Sequence, residues 1–210
     1  MAAGRFFIAR HGETVFNAAG RIQGYVEHTP LTRAGFAQAD AMGEALRRAL
    51  GPKPDLTLWA SPTGRALQTL AVIAEHLELD WHAARTDTRL REIGMGEWTG
   101  RFYRDILAES GPLFDPPTAL FTRCAPGGEW YDEIAVRLRA WLDDHDAEQG
   151  DRLIVMHGMS ARVLRGMLTD LARDERCRAP VAANLPQGSV AEIEGGAETL
   201  LHRGSGGGTA

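Results

Sequence analysis

Three short, mainly apolar runs punctuate the chain, Phe6 to Ala9, Leu56 to Ala60 and Arg152 to Met156, and each stops abruptly at a polar turn. Runs of this length bounded by turn residues predict buried strands. Helical spacing follows each of them. After the first, Thr32 caps a segment in which Phe36, Ala39, Met42 or Gly43, Leu46 and Leu50 share a face, ending at Gly51-Pro52. After the second come Leu67, Leu70, Ile73, Ala74 and Leu77, and after the third Val163, Leu164 and Met167. A further helix is predicted over 129–147 with Ile134, Leu138, Trp141 and Leu142 inward, and alternation around Gly195-Gly196 predicts a terminal hairpin. The repeated strand-turn-helix unit predicts an α/β fold with a mostly parallel central sheet.

Between these elements lie irregular stretches. Residues 14–25 read as a polar loop with one turn of helix, and 81–91 as an extended segment leading to Glu92. Gly111-Pro112, Asp115-Pro116-Pro117 and Pro126-Gly127-Gly128 break up residues 101–128. A connection this long in a compact domain is expected to be a lid, cap or binding loop. Residues 1–203 then form a single domain and 204–210 a frayed tail.

At 210 residues, 44% hydrophobic and 24% charged, the chain has the composition of an ordinary globular protein. Its formal net charge of -5 argues against a nucleic-acid or anionic-membrane binder. Any basic site must be local. Lys53 is the only lysine among 23 basic residues, a bias that a genome-wide coding preference produces as readily as phosphate recognition, so each arginine is argued from its position. Cys124 and Cys177 have neither zinc-ligand nor disulfide-scaffold spacing. The first apolar run is too short for a signal peptide and no later run is long enough to span a membrane, so the expected location is cytoplasmic.

The chemistry sits at the strand ends. Arg10-His11-Gly12-Glu13 ends the first run, Arg65 opens the helix after the second, and His157-Gly158 ends the third. In an open α/β sheet ligands bind beyond the carboxyl ends of the strands, so these residues converge. Two histidines with two arginines suit a dianion. A metal is disfavoured, because the arginines would repel it.

These motifs closely resemble the histidine phosphatase superfamily, which includes cofactor-dependent phosphoglycerate mutases and many small phosphatases. The resemblance runs through Arg10-His11-Gly12-Glu13-Thr14 with Asn17, Pro30-Leu31-Thr32 with Gly35 and Gln38, and Ser61-Pro62 with Arg65-Ala66 and Gln68-Thr69. It continues in Leu90-Arg91-Glu92 with Gly96 and Trp98, Pro126-Gly127-Gly128-Glu129, and His157-Gly158 with Arg162. It implies a three-layer α/β/α sandwich of the phosphoglycerate mutase type. By the same resemblance His11 is the nucleophile that becomes a phosphohistidine, Glu92 the acid for the leaving alkoxide and then the base for water, and His157 a third catalytic group. Arg10, Asn17, Arg65 and Gly158 hold the phosphate, Gln23 and Gly24 line the substrate site, and no cofactor or metal is required. Nearby Arg10, Arg65 and a protonated His157 would keep the His11 imidazole neutral. Read without the resemblance, Glu92 is a surface carboxylate paired with Arg89 or Arg91.

Phe16 stands where many relatives carry tryptophan, Trp130 where serine is frequent, and Glu27-His28 where an aspartate is usual. Mutases tend to carry a longer, more basic insertion, whereas residues 101–126 hold only Arg101, Arg104 and Arg123 beside Asp105, Glu109 and Asp115. The favoured function is a phosphomonoester hydrolase acting on a small phosphorylated metabolite. The alternatives are a phosphoglycerate mutase and a weakly catalytic module that binds a phosphorylated ligand. The oligomeric state stays open, a homodimer included.

Overall fold

Each of the three apolar runs is a strand, and a helix follows each. The computed structural model describes residues 4–207. In chain order the elements are β1 (Phe6–Arg10), α1 (Val15–Ala19), α2 (Arg33–Leu50), β2 (Leu56–Ala60), α3 (Gly64–Leu77) and β3 (Arg85–Thr86). They continue with α4 (Tyr103–Ser110), α5 (Tyr131–Asp144), β4 (Asp151–Met156), α6 (Gly158–Leu168), β5 (Arg173–Asp174), β6 (Ala179–Pro180), β7 (Val190–Glu194) and β8 (Ala197–His202). Six strands form one sheet in the order β3-β2-β4-β1-β7-β8. The first four run parallel, and the β7–β8 hairpin joins β1 antiparallel.

Because side chains alternate along a strand, β1 serves two cores at once. Phe6 and Ile8 face one side with Trp59, Ile154 and Met156, where Ile134, Leu138, Trp141 and Leu164 cover them. Phe7 and Ala9 face the other with Leu58, Leu153 and Val155, under Met42, Leu46, Leu70 and Ile73. These helical layers on the two faces of the sheet make the expected α/β/α sandwich.

Thr32 caps α2 as expected, its Oγ1 accepting from Gly35 N at 3.0 Å. Phe36 departs from the expectation. It is 43% exposed, while Gly35, Gln38, Ala39, Met42, Gly43 and Leu46 are buried. The inward stripe is thus displaced toward small and polar residues, because the backbone itself packs here. A Cβ on Gly35 would lie 2.0 Å from Glu13 O, and one on Gly12 would lie 2.3 Å from Gly35 O. Gly12 therefore allows close approach of α2.

The 101–128 stretch packs on the first core through Ile106, Leu113, Leu120, Phe121 and Ala125. The expected tail begins as a strap: Gly204 N donates to Ser189 Oγ at 2.9 Å and Gly206 N to Gln187 O at 3.3 Å. Residues 208–210 of that tail lie outside the described residues. Among the described residues no helix is long and apolar enough to cross a membrane.

Overpacking at the Gly12–Gly35 contact carries a cost of about 1–3 kcal/mol. Gly35→Ala should lower the urea midpoint accordingly, whereas Val136→Ala, at a position 72% exposed, should change stability by less than about 0.5 kcal/mol. Equal midpoints for the two variants would contradict this packing.

Candidate active site

Strand register brings the motifs together. Arg10 on β1 pairs with Met156 on β4, so the next residues, His11 and His157, leave the sheet side by side, and His11 N donates to Met156 O at 3.0 Å. Their rings lie 5.1 Å apart, edge to face. On the other side of β4, Ala60 pairs with Val155, and the turn after β2 delivers Arg65 in the first turn of α3.

Arg65 is fully buried and its donors are closely held. Its Nε donates to His157 Nδ1 at 3.2 Å, one terminal nitrogen to Val26 O (2.7 Å) and Thr29 Oγ1 (2.9 Å), and the other to Gly24 O (3.0 Å). Burial lowers its pKa to about 10, so it remains a cation near neutral pH. A guanidinium can only donate, so His157 Nδ1 carries a lone pair and the proton of the neutral ring is on Nε2. This corrects the expectation of a protonated His157.

His11 has the opposite tautomer. Its Nδ1 lies 2.7 Å from Gly12 O, which can only accept, so the proton is on Nδ1 and the lone pair on Nε2. Burial first, then the charges of Arg65 and Arg10, push the His11 imidazole well below its usual pKa. His157 is lowered in the same way by burial and Arg65. Both rings are neutral near pH 7.

Glu92 is buried, and its carboxylate is held by backbone, not by Arg89 or Arg91. Its Oε1 accepts from Ile93 N (2.9 Å), Met159 N (3.1 Å) and Ser160 N (3.0 Å), and its Oε2 from Met159 N (3.2 Å). The acidic group thus sits on the positive N-terminal end of α6. Arg89 pairs instead with Asp87 and Asp144, at 2.7 and 2.6 Å.

One pocket gathers Arg10, His11, Asn17, Gln23, Gly24, Arg65 and Glu92, seven of the nine residues singled out in the sequence. Arg10 reaches it braced by Leu185 O at 2.7 Å. Asn17 Oδ1 and Gln23 Oε1 both lie 2.8 Å from Thr14 Oγ1, whose single proton serves one of them at a time. The other two residues stand behind. His157 backs His11 and Arg65, and Gly158 lies against the Arg10 guanidinium, where a Cβ would come within 3.1 Å of a terminal nitrogen. Gly158 thus makes room for an arginine and does not line the pocket.

A histidine phosphatase superfamily (branch 1) model matches residues 6–204. The chain belongs to that superfamily. It is 34% identical over 169 residues to "Probable phosphoglycerate mutase GpmB" of Yersinia pestis, covering 79% of this chain and 74% of the relative. Among solved structures it resembles Bacillus stearothermophilus YhfR, with 27% identity, a TM-score of 0.71, and 99% and 98% of the two chains covered. It shares the fold of a mycobacterial glucosyl-3-phosphoglycerate phosphatase solved with VO3, at 24% identity and a TM-score of 0.73, covering 97% and 99%.

Several motif positions of the superfamily prove to be braces. Gln38 accepts from Glu13 N (2.8 Å), Gln68 from Leu31 N (3.0 Å) and Thr69 from Gly12 N (3.2 Å). Glu13 accepts from Thr32 Oγ1 at 2.7 Å and does not line the pocket. Sequence reasoning missed Ile22, Ile93, Met95, Tyr103 and Phe121, which complete the lining. It also missed Arg137, which donates to Glu92 O at 3.1 Å and pairs with Glu129 at 2.7 Å. Nothing in the helical periodicity of α5 distinguishes Arg137 from a solvated arginine.

Because the folded pKa values of His11 and His157 lie below 6.5, the unfolded chain binds more protons than the native one as pH falls through 6.5. Stability that is fully present above 6.5 should be lost at about 1.4 kcal/mol per pH unit for each ring. Urea unfolding between pH 7 and 5 should show a shallower loss for His157→Gln than for the wild type. Identical pH slopes would contradict the buried neutral rings.

Proposed function

We propose that this chain is a phosphomonoester hydrolase working through a phosphohistidine on His11. The observation that carries the reading is the His11 tautomer, with Nδ1–H spent on Gly12 O and the Nε2 lone pair left on a ring flanked by Arg65 and Arg10. Only a neutral imidazole with an available lone pair can attack phosphorus.

In the first step Nε2 of His11 forms a bond to phosphorus as the ester P–O bond breaks. Arg10, Arg65 and the Asn17 amide offset the charge that spreads over the equatorial oxygens. Neutral His157, with its proton on Nε2, serves as a hydrogen-bond donor and not as a second cation. Glu92 must enter this step as the carboxylic acid, and it gives that proton to the departing alkoxide. In the second step Glu92 takes a proton from water, the oxygen attacks phosphorus, and the P–N bond breaks to restore the His11 lone pair.

Hydrolysis is favoured over isomerisation by the disposition of the insertion's arginines. Arg101 pairs with Glu109, Arg104 stacks over Phe102 at 4.4 Å, Arg123 bonds Pro112 O, and none lines the pocket. The resemblance to a relative named as a phosphoglycerate mutase supports the second reading, transfer of the phosphoryl group within phosphoglycerate.

Phosphate release from aryl and alkyl monophosphates should fall at least about 100-fold in His11→Ala. With 3-phosphoglycerate and its bisphosphate activator, phosphate release should outpace isomerisation, and the reverse order would favour the mutase. Glu92→Gln keeps a carbonyl oxygen for the α6 amides, and it should slow alkyl esters at least about tenfold more than aryl esters, whose leaving groups need less protonation. Equal losses would assign Glu92 a positioning part only.

A further inference from the structure

Beyond the phosphate clamp the pocket wall is largely hydrocarbon, with the Gln23 amide and the Tyr103 hydroxyl as its polar groups. Ile22, Ile93, Met95 and Phe121 are buried there, and Tyr103 is half-buried. Arg10 and Arg65 are the only cations among the lining residues, and both stand beside His11. Neighbouring arginines are directed elsewhere. Arg21 stacks 4.1 Å over Phe102 and donates to Gly100 O at 3.0 Å, and Arg91 lies 4.6 Å over Tyr25.

A second recess adjoins the pocket across Met95, and it presents Tyr25, Glu129 and Glu133. A substrate carrying a second anionic group would therefore place it against hydrocarbon or toward carboxylates. An uncompensated charge in such surroundings is costly. An apolar ring gains instead. Tyr103, Phe114 and Phe121 form a continuous aromatic stack with centroid separations of 5.6 and 4.6 Å, so the wall is built from rings whose faces and edges suit another ring. Tyr103 and Phe121 both come from the 101–128 stretch, which gives that stretch a part in selecting the leaving group.

We infer that the pocket selects monophosphate esters of uncharged, apolar alcohols, aromatic ones above all, with Tyr103 and Phe121 as the specificity-determining residues. For the reaction this rests on the hydrolase reading. The preference itself belongs to the pocket and is measurable without turnover.

The test compares 2-phenylethyl phosphate with 3-phosphoglycerate, both alkyl esters, so that leaving-group chemistry differs little. The kcat/KM for the first should exceed that for the second at least tenfold. Calorimetric binding of phenylphosphonate should likewise be at least tenfold tighter than that of phosphonoacetate, whose carboxylate is a second anionic group. Phe121→Arg places a cation in the wall and should narrow the wild-type ratio at least tenfold. If circular dichroism shows that this variant does not fold, Tyr103→Arg at the half-buried position is read in the same way. Hydrolysis of 3-phosphoglycerate as efficient as that of 2-phenylethyl phosphate overturns the inference and leaves the hydrolase reading standing. No phosphate release from either ester, with the phosphonate preference intact, overturns the hydrolase reading and upholds the pocket preference. A ratio unmoved by a folded arginine variant overturns the assignment to Tyr103 and Phe121.

Discussion

The guanidinium of Arg65 is the constraint on which the site depends. A buried cation must find acceptors, and this one takes the Nδ1 lone pair of His157, the carbonyls of Gly24 and Val26 and the hydroxyl of Thr29. One side chain thereby fixes the tautomer of His157, ties down the 24–29 segment that borders the pocket, and holds its charge next to His11. That charge and burial keep His11 neutral, the state the proposed phosphoryl transfer requires. In the proposed reaction the same charge would meet the phosphoryl group, so a single interaction would both prepare the attacking ring and favour its target.

Backbone geometry makes this possible. Parallel pairing of β1 with β4 at Arg10–Met156 sets His11 and His157 in register. Gly12 and Gly35 let α2 press against the loop that follows β1, where Gln38 and Thr69 satisfy the loop's amides. On the other flank, Arg162 and Arg165 hold the carbonyls of Ala182 and Ala183 at 2.9 Å, steadying the segment whose Leu185 carbonyl braces Arg10. The fully buried polar groups around the pocket are thus held mostly by other protein groups, and the chemistry is confined to a few atoms that face the opening.

Much of this was legible in the chain because its signals are local. Apolar runs ending in His11, Arg65 and His157 announce strands and turns, and parallel topology then forces their ends to one edge. What could not be read depends on contacts distant in sequence. Phe36 has helical spacing but loses its inward place to a glycine contact. Glu92 carries no mark that its partner is the start of α6 and not a neighbouring arginine. Gly158 reads like a phosphate-loop glycine, yet its missing Cβ accommodates Arg10. Tyr103 opens the short helix α4 and Phe121 lies in the irregular chain after it, so only the folded chain shows that they wall the pocket together. The 204–206 strap is glycine-rich and looks frayed until the 187–189 turn is seen to receive it.

The central claim is that Nε2 of His11, made available by the Nδ1–H bond to Gly12, accepts the phosphoryl group. Rapid quenching in base during turnover, followed by phosphopeptide mapping and phosphorus NMR of the trapped species, tests it most directly. The expected result is an acid-labile phosphohistidine at His11 substituted on Nε2. A phosphoryl group on Nδ1 of His11, or on His157, would contradict the tautomers and the division of labour between the two rings.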